Sequence, residues 1–336
     1  MLDHQAIITA YQRIKHKVHQ TPVVESTLLN QWLGHRLLFK AECLQKTGAF
    51  KFRGATNVLA KLSENNELPQ QIVANSSGNH AQAIAYAAAT FNIPASIFTI
   101  ASVSKVKAAA TEAYGARLHK FASRTDADQA VQEAAQQHGT LWIPPFNHPD
   151  VIAGQGTACY EALQQINAQV DAVFAPCGGG GLLSGTLLAA KGIDDRIQVI
   201  GAEPLNANDA ACSLRSGKIE TLPGPPDTLS DGAATPAVGS HTFPILQHCD
   251  DFYEIAESQI AYWTQWLQHL LKLHVEPTSA MTMQAVMNWL RKGRFSNPQT
   301  CLVILSGGNI DQAKMAQVWQ EDYLARLPGS AEQQSR

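Results

Sequence analysis

The sequence lacks the features that mark several specialised classes of protein. Its 336 residues have a formal net charge of only −3 and no basic run, so a nucleic acid is not an expected partner. The six cysteines form no C-x-x-C pair, which argues against a zinc knuckle or a secreted disulfide scaffold and is typical of a reduced cytosol. No apolar run is long enough to span a membrane. We therefore expect a soluble, cytoplasmic enzyme.

The chain does contain a regular alternation of short apolar runs and alanine-rich segments. Apolar runs of strand length are residues 36–42, 71–77, 95–100, 116–121, 170–176, 197–204 and 301–307. Segments with helical periodicity are residues 1–17, 80–92, 104–115, 125–139 and 156–166. This alternation predicts an α/β fold with a mostly parallel sheet flanked by helices. In such folds ligands bind at the carboxyl ends of the strands.

The length of the chain suits two domains or one large α/β unit. The polar stretch at 63–70 and the proline-rich stretch at 142–150 are the expected boundaries. The prediction is then a large domain of residues 1–70 and 146–330, a small inserted α/β domain of residues 71–145, and a tail of residues 331–336. The turn-rich connection at 222–239 is longer than a simple link requires, so we interpret it as a functional or surface loop.

The segment KTGAFKFRGA, residues 46–55, places Lys51 between Phe50 and Phe52. Such a lysine is either a surface residue whose stem lies along apolar groups or a buried amine. Burial lowers the pKa of a lysine and makes the free amine available as a nucleophile and as a base. The segment by itself leaves both interpretations open. It also leaves open whether Arg53 supports the local backbone or tunes a site.

The segment PCGGGGLLSG, residues 176–185, follows a predicted strand and opens a helix. Its four glycines let several backbone N–H groups face one anion, and the helix N-terminus adds a partial positive charge. The segment matches neither a Walker A loop nor G-x-G-x-x-G. A tight strand–helix turn needs only one or two glycines, so the segment favours phosphate binding.

Two further strand–helix junctions are rich in small polar residues. NSSGNHAQA, residues 75–83, offers Ser76, Ser77 and Asn79 to a carboxylate, although the same residues would also cap a helix for their own sake. LSGGN, residues 305–309, offers Ser306 to a ligand or to the next helix. A reactive lysine, a phosphate cradle and a carboxylate clamp are the parts that pyridoxal 5'-phosphate needs when it acts on an amino acid.

These motifs resemble the fold-type II pyridoxal-phosphate enzymes of the serine/threonine dehydratase and serine racemase group, which includes 3-hydroxyaspartate ammonia-lyases. LQKTGAFKFRGATN, SSGNHAQAIAYAA, VIAGQGT, CGGGGLLSG, VEPTSA and LSGGN occur in the order of that family, between about residues 15 and 315. The resemblance implies two open, mostly parallel twisted sheets flanked by helices. It also implies a homodimer, with the cofactor in the cleft between the large and the small domain of each subunit.

The resemblance assigns roles to individual residues. In the cofactor site, Lys51 matches the Schiff-base lysine, Phe50 the residue that packs against the ring, Asn79 the partner of the ring hydroxyl, Gly178, Gly179, Gly180 and Gly181 the phosphate loop, and Ser306 the partner of the pyridine nitrogen. In the substrate site, Ser76, Ser77, Asn79 and His80 resemble the carboxylate clamp, with His80 contributing its backbone N–H. Arg124 resembles a carboxylate-binding arginine of the racemases, although a solvated surface arginine explains it as well.

A divalent-cation site is implied by EPLNAND, residues 203–209. Glu203 and Asp209 would supply carboxylate oxygens and Ala207 a backbone carbonyl, a hard-oxygen set that suits Mg²⁺ or Ca²⁺. A capped loop after the strand is the alternative interpretation.

The resemblance implies an ammonia-lyase that acts by β-elimination on a β-hydroxy amino acid (serine, threonine or 3-hydroxyaspartate) and yields a 2-oxo acid and ammonia. Ser77 stands where racemases place a second acid or base, so serine racemase is the alternative. A β-replacement synthase is disfavoured by AFKFRGA, and a non-catalytic cofactor-binding protein by the intact lysine and phosphate loop.

Overall fold

A computed structural model describes residues 2–329 of the chain. This part contains two separate sheets, with helices packed around them. The predicted tail at 331–336 lies outside the described residues. No helix among residues 2–329 is both long and apolar enough to cross a membrane.

The strands are short, as is usual for α/β proteins. They are β1 (Val23–Glu25), β2 (Arg36–Ala41), β3 (Gln71–Asn75), β4 (Ala95–Ile100), β5 (Ala116–Phe121), β6 (Thr140–Trp142), β7 (Ala172–Pro176), β8 (Gln198–Pro204), β9 (Asp251–Ile255) and β10 (Thr300–Leu305).

The helices lie mostly between consecutive strands. They are α1 (His4–Ile14), α2 (Thr27–Leu33), α3 (Lys51–Glu64), α4 (Asn79–Thr90), α5 (Lys105–Ala113), α6 (Arg124–Ala135), α7 (Pro149–Gln165), α8 (Gly181–Ile193), α9 (Asp209–Ser216), α10 (Phe243–Leu246), α11 (Glu257–Leu271), α12 (Pro277–Ala280), α13 (Thr282–Gly293) and α14 (Gln312–Val318).

Both sheets confirm the predicted parallel α/β fold. The six-stranded sheet has the order β1-β2-β10-β7-β8-β9, and only the β1–β2 pair is antiparallel. The four-stranded sheet has the order β5-β4-β3-β6 and is parallel throughout. In the larger sheet Leu302 lies between Leu38 and Val173 on the neighbouring strands. Parallel strands of this kind are buried on both faces, which explains their continuous apolar runs.

Separate apolar cores cover the sheets. On one face of the six-stranded sheet, Trp263 of α11 and Trp289 of α13 belong to the core. On the other face, Ile7 of α1 and Leu183 of α8 do so. The four-stranded sheet has a core of its own, in which Phe52 of α3 takes part. The helix that begins with Lys51 therefore shares the core of the smaller sheet, and it packs against α4 and α7.

The strands of the four-stranded sheet all fall within residues 71–142, and those of the six-stranded sheet come from before and after them. We therefore keep as a proposal the division into a small domain of residues 71–145 and a large domain around it. Helix α7 begins at Pro149, well before the predicted Gly156. His148 caps this helix by accepting a hydrogen bond from the Asp150 N–H at 3.1 Å, and proline is well suited to a first turn.

A buried network of charges lies beneath the start of α3. The Arg53 guanidinium donates to Glu42 at 2.8 Å and to Glu161 of α7 at 2.7 Å. The Lys40 ammonium also contacts Glu161, at 2.6 Å. All four side chains are at most 1% exposed. Arg53 therefore supports the backbone around Lys51, which answers the question that the sequence left open.

Neutralising Glu161 should lower the stability of the fold. It leaves the buried ammonium of Lys40 without a carboxylate partner and leaves Arg53 with Glu42 as its one remaining carboxylate partner. We expect Glu161→Gln to lower the free energy of unfolding by about 3–5 kcal/mol, measured by urea denaturation. Glu64→Gln is the matched control: Glu64 pairs with Arg13 at 2.7 Å but is 53% exposed, so its loss should be below about 1 kcal/mol. Equal losses in the two variants would contradict a supporting role for the network.

Candidate active site

Loops at the carboxyl ends of strands from both sheets meet around Lys51. The Phe50 N–H donates to the carbonyl of Ser306, which follows β10, at 2.9 Å. Asn79, after β3, is joined by hydrogen bonds to Glu276 and Asn309. In parallel α/β sheets a ligand site is expected at this place, outside the carboxyl ends of the strands. It brings together residues that lie more than 200 positions apart in the chain.

The Lys51 amine has a backbone carbonyl as its hydrogen-bond partner. Its Nζ donates to the Pro145 carbonyl at 2.7 Å. Burial lowers the pKa of this amine to about 7, although the nearby charge of Glu276 acts in the opposite direction. A large fraction of the amine is consequently neutral near pH 7, the state needed for nucleophilic attack or proton abstraction.

Two aromatic rings flank this amine. The centroid of the Phe50 ring lies 4.9 Å from Lys51 Nζ, and that of the Phe146 ring lies 5.9 Å away. Phe52, the other neighbour in sequence, points into the core and contacts the Tyr86 ring at a centroid distance of 5.4 Å. Helical geometry explains the difference, because adjacent residues of a helix project in different directions.

The glycine segment has the geometry of an anion cradle. No hydrogen bond among the described residues uses the N–H groups of Gly178, Gly179 or Gly180. Gly180 has a φ of +89°, a conformation that favours glycine. A Cβ on Gly179 would come within 2.2 Å of the Phe146 ring. Free donors at the start of α8, with no room for side chains, suit a phosphate.

Asn79 is held at both ends of its side-chain amide. Its Nδ2 donates to the two carboxylate oxygens of Glu276 at 3.2 and 3.1 Å. Its Oδ1 accepts from Asn309 Nδ2 at 2.9 Å. Glu276 is fully buried, and burial raises its pKa to about 7, helped by the charge of Asp231.

Ser306 is buried and is held by a second serine. Its hydroxyl lies 2.9 Å from the Ser279 hydroxyl, which also bonds the N–H and the carbonyl of Gly307. Ser306 is only 1% exposed. The predicted partner of the cofactor's pyridine nitrogen is therefore a buried hydroxyl group.

The loop between β3 and α4 carries the proposed substrate clamp. Ser76 Oγ accepts from the Gly78 N–H at 3.3 Å, and no side-chain hydrogen bond of the described residues involves Ser77. His80 turns inward, and its Nε2 lies 2.8 Å from the Ile143 carbonyl. Burial and the charge of Lys51 lower the His80 pKa to about 3. Its imidazole is therefore a structural donor, which leaves the backbone N–H for a ligand.

Arg124 is not brought to this site. It is the first residue of α6, its side chain is 60% exposed, and it pairs with Asp128 at 2.8 Å. The helix follows β5, an edge strand separated from β3 by β4. Arg124 reaches the site only indirectly, since Asp128 also accepts from Asn75 at the end of β3. This environment favours the surface interpretation of Arg124.

Two buried carboxylates lie at the predicted cation site. Glu203 accepts from the Ala210 and Ala211 N–H groups at 3.2 and 2.7 Å. Both carboxylate oxygens of Asp209 are buried and have no hydrogen bond of good geometry in the described part of the chain, although the backbone N–H groups of Asp209 and Val238 lie near enough to lower its pKa. Burial raises the pKa of Glu203 to about 9 and that of Asp209 to about 7. Burial of the Asp209 carboxylate, which is poorly compensated, is unfavourable, and a cation beside it would relieve this cost.

This pair is a small ligand set. Among residues 2–329 no group of three or more His, Cys, Asp or Glu side chains could hold a metal ion. A cation between Glu203 and Asp209 would therefore also need the carbonyl of Ala207, which is buried in the 3-10 turn Leu205–Ala207, and water. The cation site stays a prediction.

Sequence reasoning missed several residues of the site. Glu276 and Ser279 belong to VEPTSA, a motif to which no individual role was given, and a carboxylate in an otherwise apolar stretch was the available signal. The loop at 222–239 also faces the site: its Asp231 pairs with Lys107 at 2.5 Å, and Ala233 lies within 3.0 Å of a Cβ placed on Gly178.

A family model described as "Pyridoxal-phosphate dependent enzyme" matches residues 14–307. The chain belongs to this family. The L-threo-3-hydroxyaspartate ammonia-lyase of Saccharomyces cerevisiae is 41% identical to it, over 92% of this chain and 94% of the relative. The serine racemase of Dictyostelium discoideum is 39% identical, over 92% of this chain and 95% of the relative. Among solved structures, a threonine deaminase from T.th. has a TM-score of 0.85 and 39% identity, over 91% of this chain and 98% of that one.

The residues of this pyridoxal-phosphate-dependent enzyme fit its cofactor chemically. The free N–H groups of the glycine segment suit the phosphate, Lys51 supplies the amine, and Asn79 and Ser306 supply hydrogen-bonding groups for the ring. These individual assignments stay predictions. The fold of the enzyme is the predicted one, with mostly parallel sheets flanked by helices.

A methyl group on the glycine segment should weaken cofactor binding. Gly179→Ala would force its Cβ against Phe146 and disturb the free N–H groups beside it. We expect an overpacking cost of about 1–3 kcal/mol in the cofactor-bound state, which raises Kd by about 5- to 160-fold. Titration of the cofactor-free protein with pyridoxal phosphate, followed by absorbance, measures this. Gly224→Ala is the control, because nothing lies within 4 Å of its Cβ. If both variants bind equally well, the phosphate lies elsewhere.

Proposed function

We propose that the enzyme is an ammonia-lyase that removes water from a β-hydroxy amino acid by β-elimination and gives a 2-oxo acid and ammonia. The observation that carries the proposal is the buried amine of Lys51, which has a carbonyl partner at 2.7 Å and a pKa of about 7. Pyridoxal phosphate, when bound, supplies the electron sink that lets the α-C–H bond of an amino acid ionise.

One proton transfer in this proposal, the removal of the α-proton, is assigned to a residue of the chain. Lys51 Nζ takes the α-proton, and the β-C–O bond then breaks with a proton delivered to the departing hydroxyl, since hydroxide is a poor leaving group without acid help. The resulting enamine hydrolyses to the 2-oxo acid and ammonia. His80 is not the base, because its Nε2 is engaged with the Ile143 carbonyl and its pKa is about 3.

Substrate orientation is assigned to the loop at 76–79. Ser76, Ser77 and Asn79 lie at the start of α4, where backbone N–H groups and the helix dipole attract a carboxylate. Among candidate substrates, 3-hydroxyaspartate has support from two relatives, the ammonia-lyases of Saccharomyces cerevisiae and of a Pseudomonas species, at 41% and 38% identity. L-Serine and L-threonine are the other candidates.

Racemisation is the second candidate activity, because it needs an acid or base on each face of the α-carbon. Lys51 would serve one face. Ser77 would serve the other, since no side-chain hydrogen bond of the described residues occupies its hydroxyl. Serine racemases among the relatives support this candidate. We propose in addition that the enzyme is a homodimer, as the resemblance implies, and that it is cytoplasmic, as its scattered cysteines indicate.

Loss of the Lys51 amine should abolish turnover. We expect Lys51→Ala to lower the rate of 2-oxo acid formation by at least about a thousandfold, because base catalysis and cofactor attachment are lost together. The assay uses L-serine, L-threonine and the isomers of 3-hydroxyaspartate, with chiral analysis of the remaining amino acid. Lys46→Ala is the control, because Lys46 belongs to the same segment but its amine lies beside other rings. It is 5.9 Å from the centroid of Phe52 and 6.0 Å from that of Tyr86. Activity retained by Lys51→Ala would disprove the assignment.

We propose that Glu203, Asp209 and the carbonyl of Ala207 bind Mg²⁺ or Ca²⁺. Support comes from the two unpartnered oxygens of Asp209, which a hard cation would satisfy. The site lies next to the glycine segment, since the charges of Glu203 and Asp209 both raise the pKa of Cys177. A bound cation would therefore support the phosphate cradle from behind.

Chelation should lower the melting temperature, and added Mg²⁺ or Ca²⁺ should restore it. At a metal concentration of about 100 times Kd the stabilisation is about 2.7 kcal/mol. Asp209→Asn should abolish this response without destabilising the metal-free protein, because it removes a buried, unpartnered charge. Asp194→Asn is the control, since Asp194 pairs with Arg196 at the surface. Indifference of the native protein to both EDTA and metal would disprove the site.

A further inference from the structure

The carbonyl of Pro145 receives hydrogen bonds from two different helices. Lys51 Nζ of α3 donates to it at 2.7 Å, and Gln155 Nε2 of α7 donates to it at 3.0 Å. Because a carbonyl oxygen has two lone pairs, these two donors use its whole accepting capacity. Gln155 is 0% exposed, and none of the proposed chemical steps uses it.

Gln155 lies between the lysine helix and the glycine segment. Its Cγ would be 3.1 Å from a Cβ placed on Gly54 of α3. A Cβ placed on Gly181, the first residue of α8, would collide with its Oε1 and come within 2.9 Å of Phe146, whose ring lies beside the amine. The absence of a side chain at Gly181 therefore leaves room for the Gln155 amide.

The amide of Gln155 is satisfied at one end only. Its Oε1 is buried and has no hydrogen-bond partner among the described residues. The orientation of the amide is nevertheless defined, because the Pro145 carbonyl can only accept and must therefore face Nε2. A buried acceptor without a partner is unfavourable and requires an explanation. The donor end of the amide, which shares its acceptor with Lys51, supplies one.

A shared carbonyl is a poor partner for a charged lysine. An ammonium group has three N–H donors, whereas Lys51 Nζ makes no hydrogen bond among the described residues other than the one to Pro145. Gln155 occupies the second lone pair of that oxygen, and the positive ends of two N–H groups on one oxygen repel each other. The N–H of Gln155 therefore disfavours the ammonium form of Lys51 and favours the free amine.

No charged side chain in the described part of the chain has the same effect on Lys51. Glu276 acts in the opposite direction, because its charge favours the ammonium form. His80 of α4 is neutral, since its pKa is about 3. Apart from Lys51, the charged residues of α1, α3 and α7 pair with one another, as Arg13–Glu64, Arg53–Glu161 and Lys61–Asp150.

We propose that Gln155 is a positioning residue for Lys51: by sharing the Pro145 carbonyl, it fixes that carbonyl in place and biases the lysine towards its neutral, nucleophilic form. The proposal deepens the role that the proposed function gives to Lys51. It does not depend on the substrate or on the lyase reaction, because it concerns the amine before any ligand binds.

Replacement of the Gln155 amide by an apolar group of similar length tests the proposal. We expect Gln155→Met to raise the pKa of the Lys51 amine by about 0.5–1, which corresponds to one hydrogen bond. Competitive labelling of the cofactor-free protein with acetic anhydride over a range of pH, followed by peptide mapping with mass spectrometry, measures this pKa for the individual lysine. If Gln155→Met does not fold, Gln155→Leu replaces it.

Gln265→Met is the matched control. Gln265 is also 0% exposed and donates to two backbone carbonyls, those of Val318 and Glu321, at 2.8 and 2.6 Å. It belongs to α11, which packs on α12, α13 and α14. Its loss should lower stability and leave the pKa of Lys51 unchanged. An unchanged pKa in Gln155→Met, or an equal rise in Gln265→Met, would overturn the proposal.

Gly181→Ala provides a second way to move the same amide, because its Cβ would displace Oε1 of Gln155. We expect the pKa of Lys51 to rise in this variant as well. The double variant should show no larger rise than Gln155→Met alone, since both changes act through one amide. Additive rises would contradict the placement of the Gln155 amide between Gly181 and Pro145, on which the proposal rests.

The outcomes separate this proposal from the proposed function. If the native protein forms 2-oxo acid but Gln155→Met leaves the pKa of Lys51 unchanged, only the role of Gln155 is refuted. If Gln155→Met raises that pKa but the native protein forms no 2-oxo acid, the lyase proposal is refuted and the role of Gln155 stands.

Discussion

The site depends on one constraint: the amine of Lys51 is buried beside a carbonyl group, with no carboxylate as its direct hydrogen-bond partner. An ion pair would stabilise the ammonium form, whereas a neutral partner and two aromatic rings leave desolvation as the dominant effect. Desolvation favours the free amine. The same environment that makes this lysine unfavourable for stability makes it useful for reacting with a carbonyl compound.

The fold keeps this amine in place by charges that lie outside the reacting region. Two residues after Lys51, Arg53 is held between Glu42 and Glu161, so the start of α3 is tied to α7 and to the segment after β2. The rest of α3 packs on α4 and α7, and Phe52 belongs to the core of the four-stranded sheet. The lysine therefore lies where loops of both sheets meet, and the glycine segment and Ser306 reach it from the larger one. The glycine segment, the amine and the predicted partners of the ring come from distant parts of the chain because parallel strands end at the same edge.

Much of this architecture could be predicted from local patterns, and the remainder depends on tertiary contacts. The apolar runs at 95–100 and 116–121 coincide with β4 and β5, since continuous burial leaves a direct trace in the sequence. The start of α7 was missed because a proline-rich stretch resembles a linker until His148 is seen to cap it. Apart from the carboxylate in an apolar stretch, Glu276 and Ser279 gave no local signal of their roles, because their partners Asn79 and Ser306 lie far from them in the sequence. For the same reason the sequence did not show that the second aromatic ring beside the amine is Phe146 and not Phe52.

The central claim is that Lys51 is the residue to which the cofactor binds covalently. Borohydride reduction of the native protein loaded with pyridoxal phosphate, followed by peptide mapping with mass spectrometry, tests this claim directly. We expect the reduced cofactor on the peptide containing Lys51 and on no other lysine. Attachment to a different lysine, such as the Lys107 that pairs with Asp231, or no attachment at all, would contradict it.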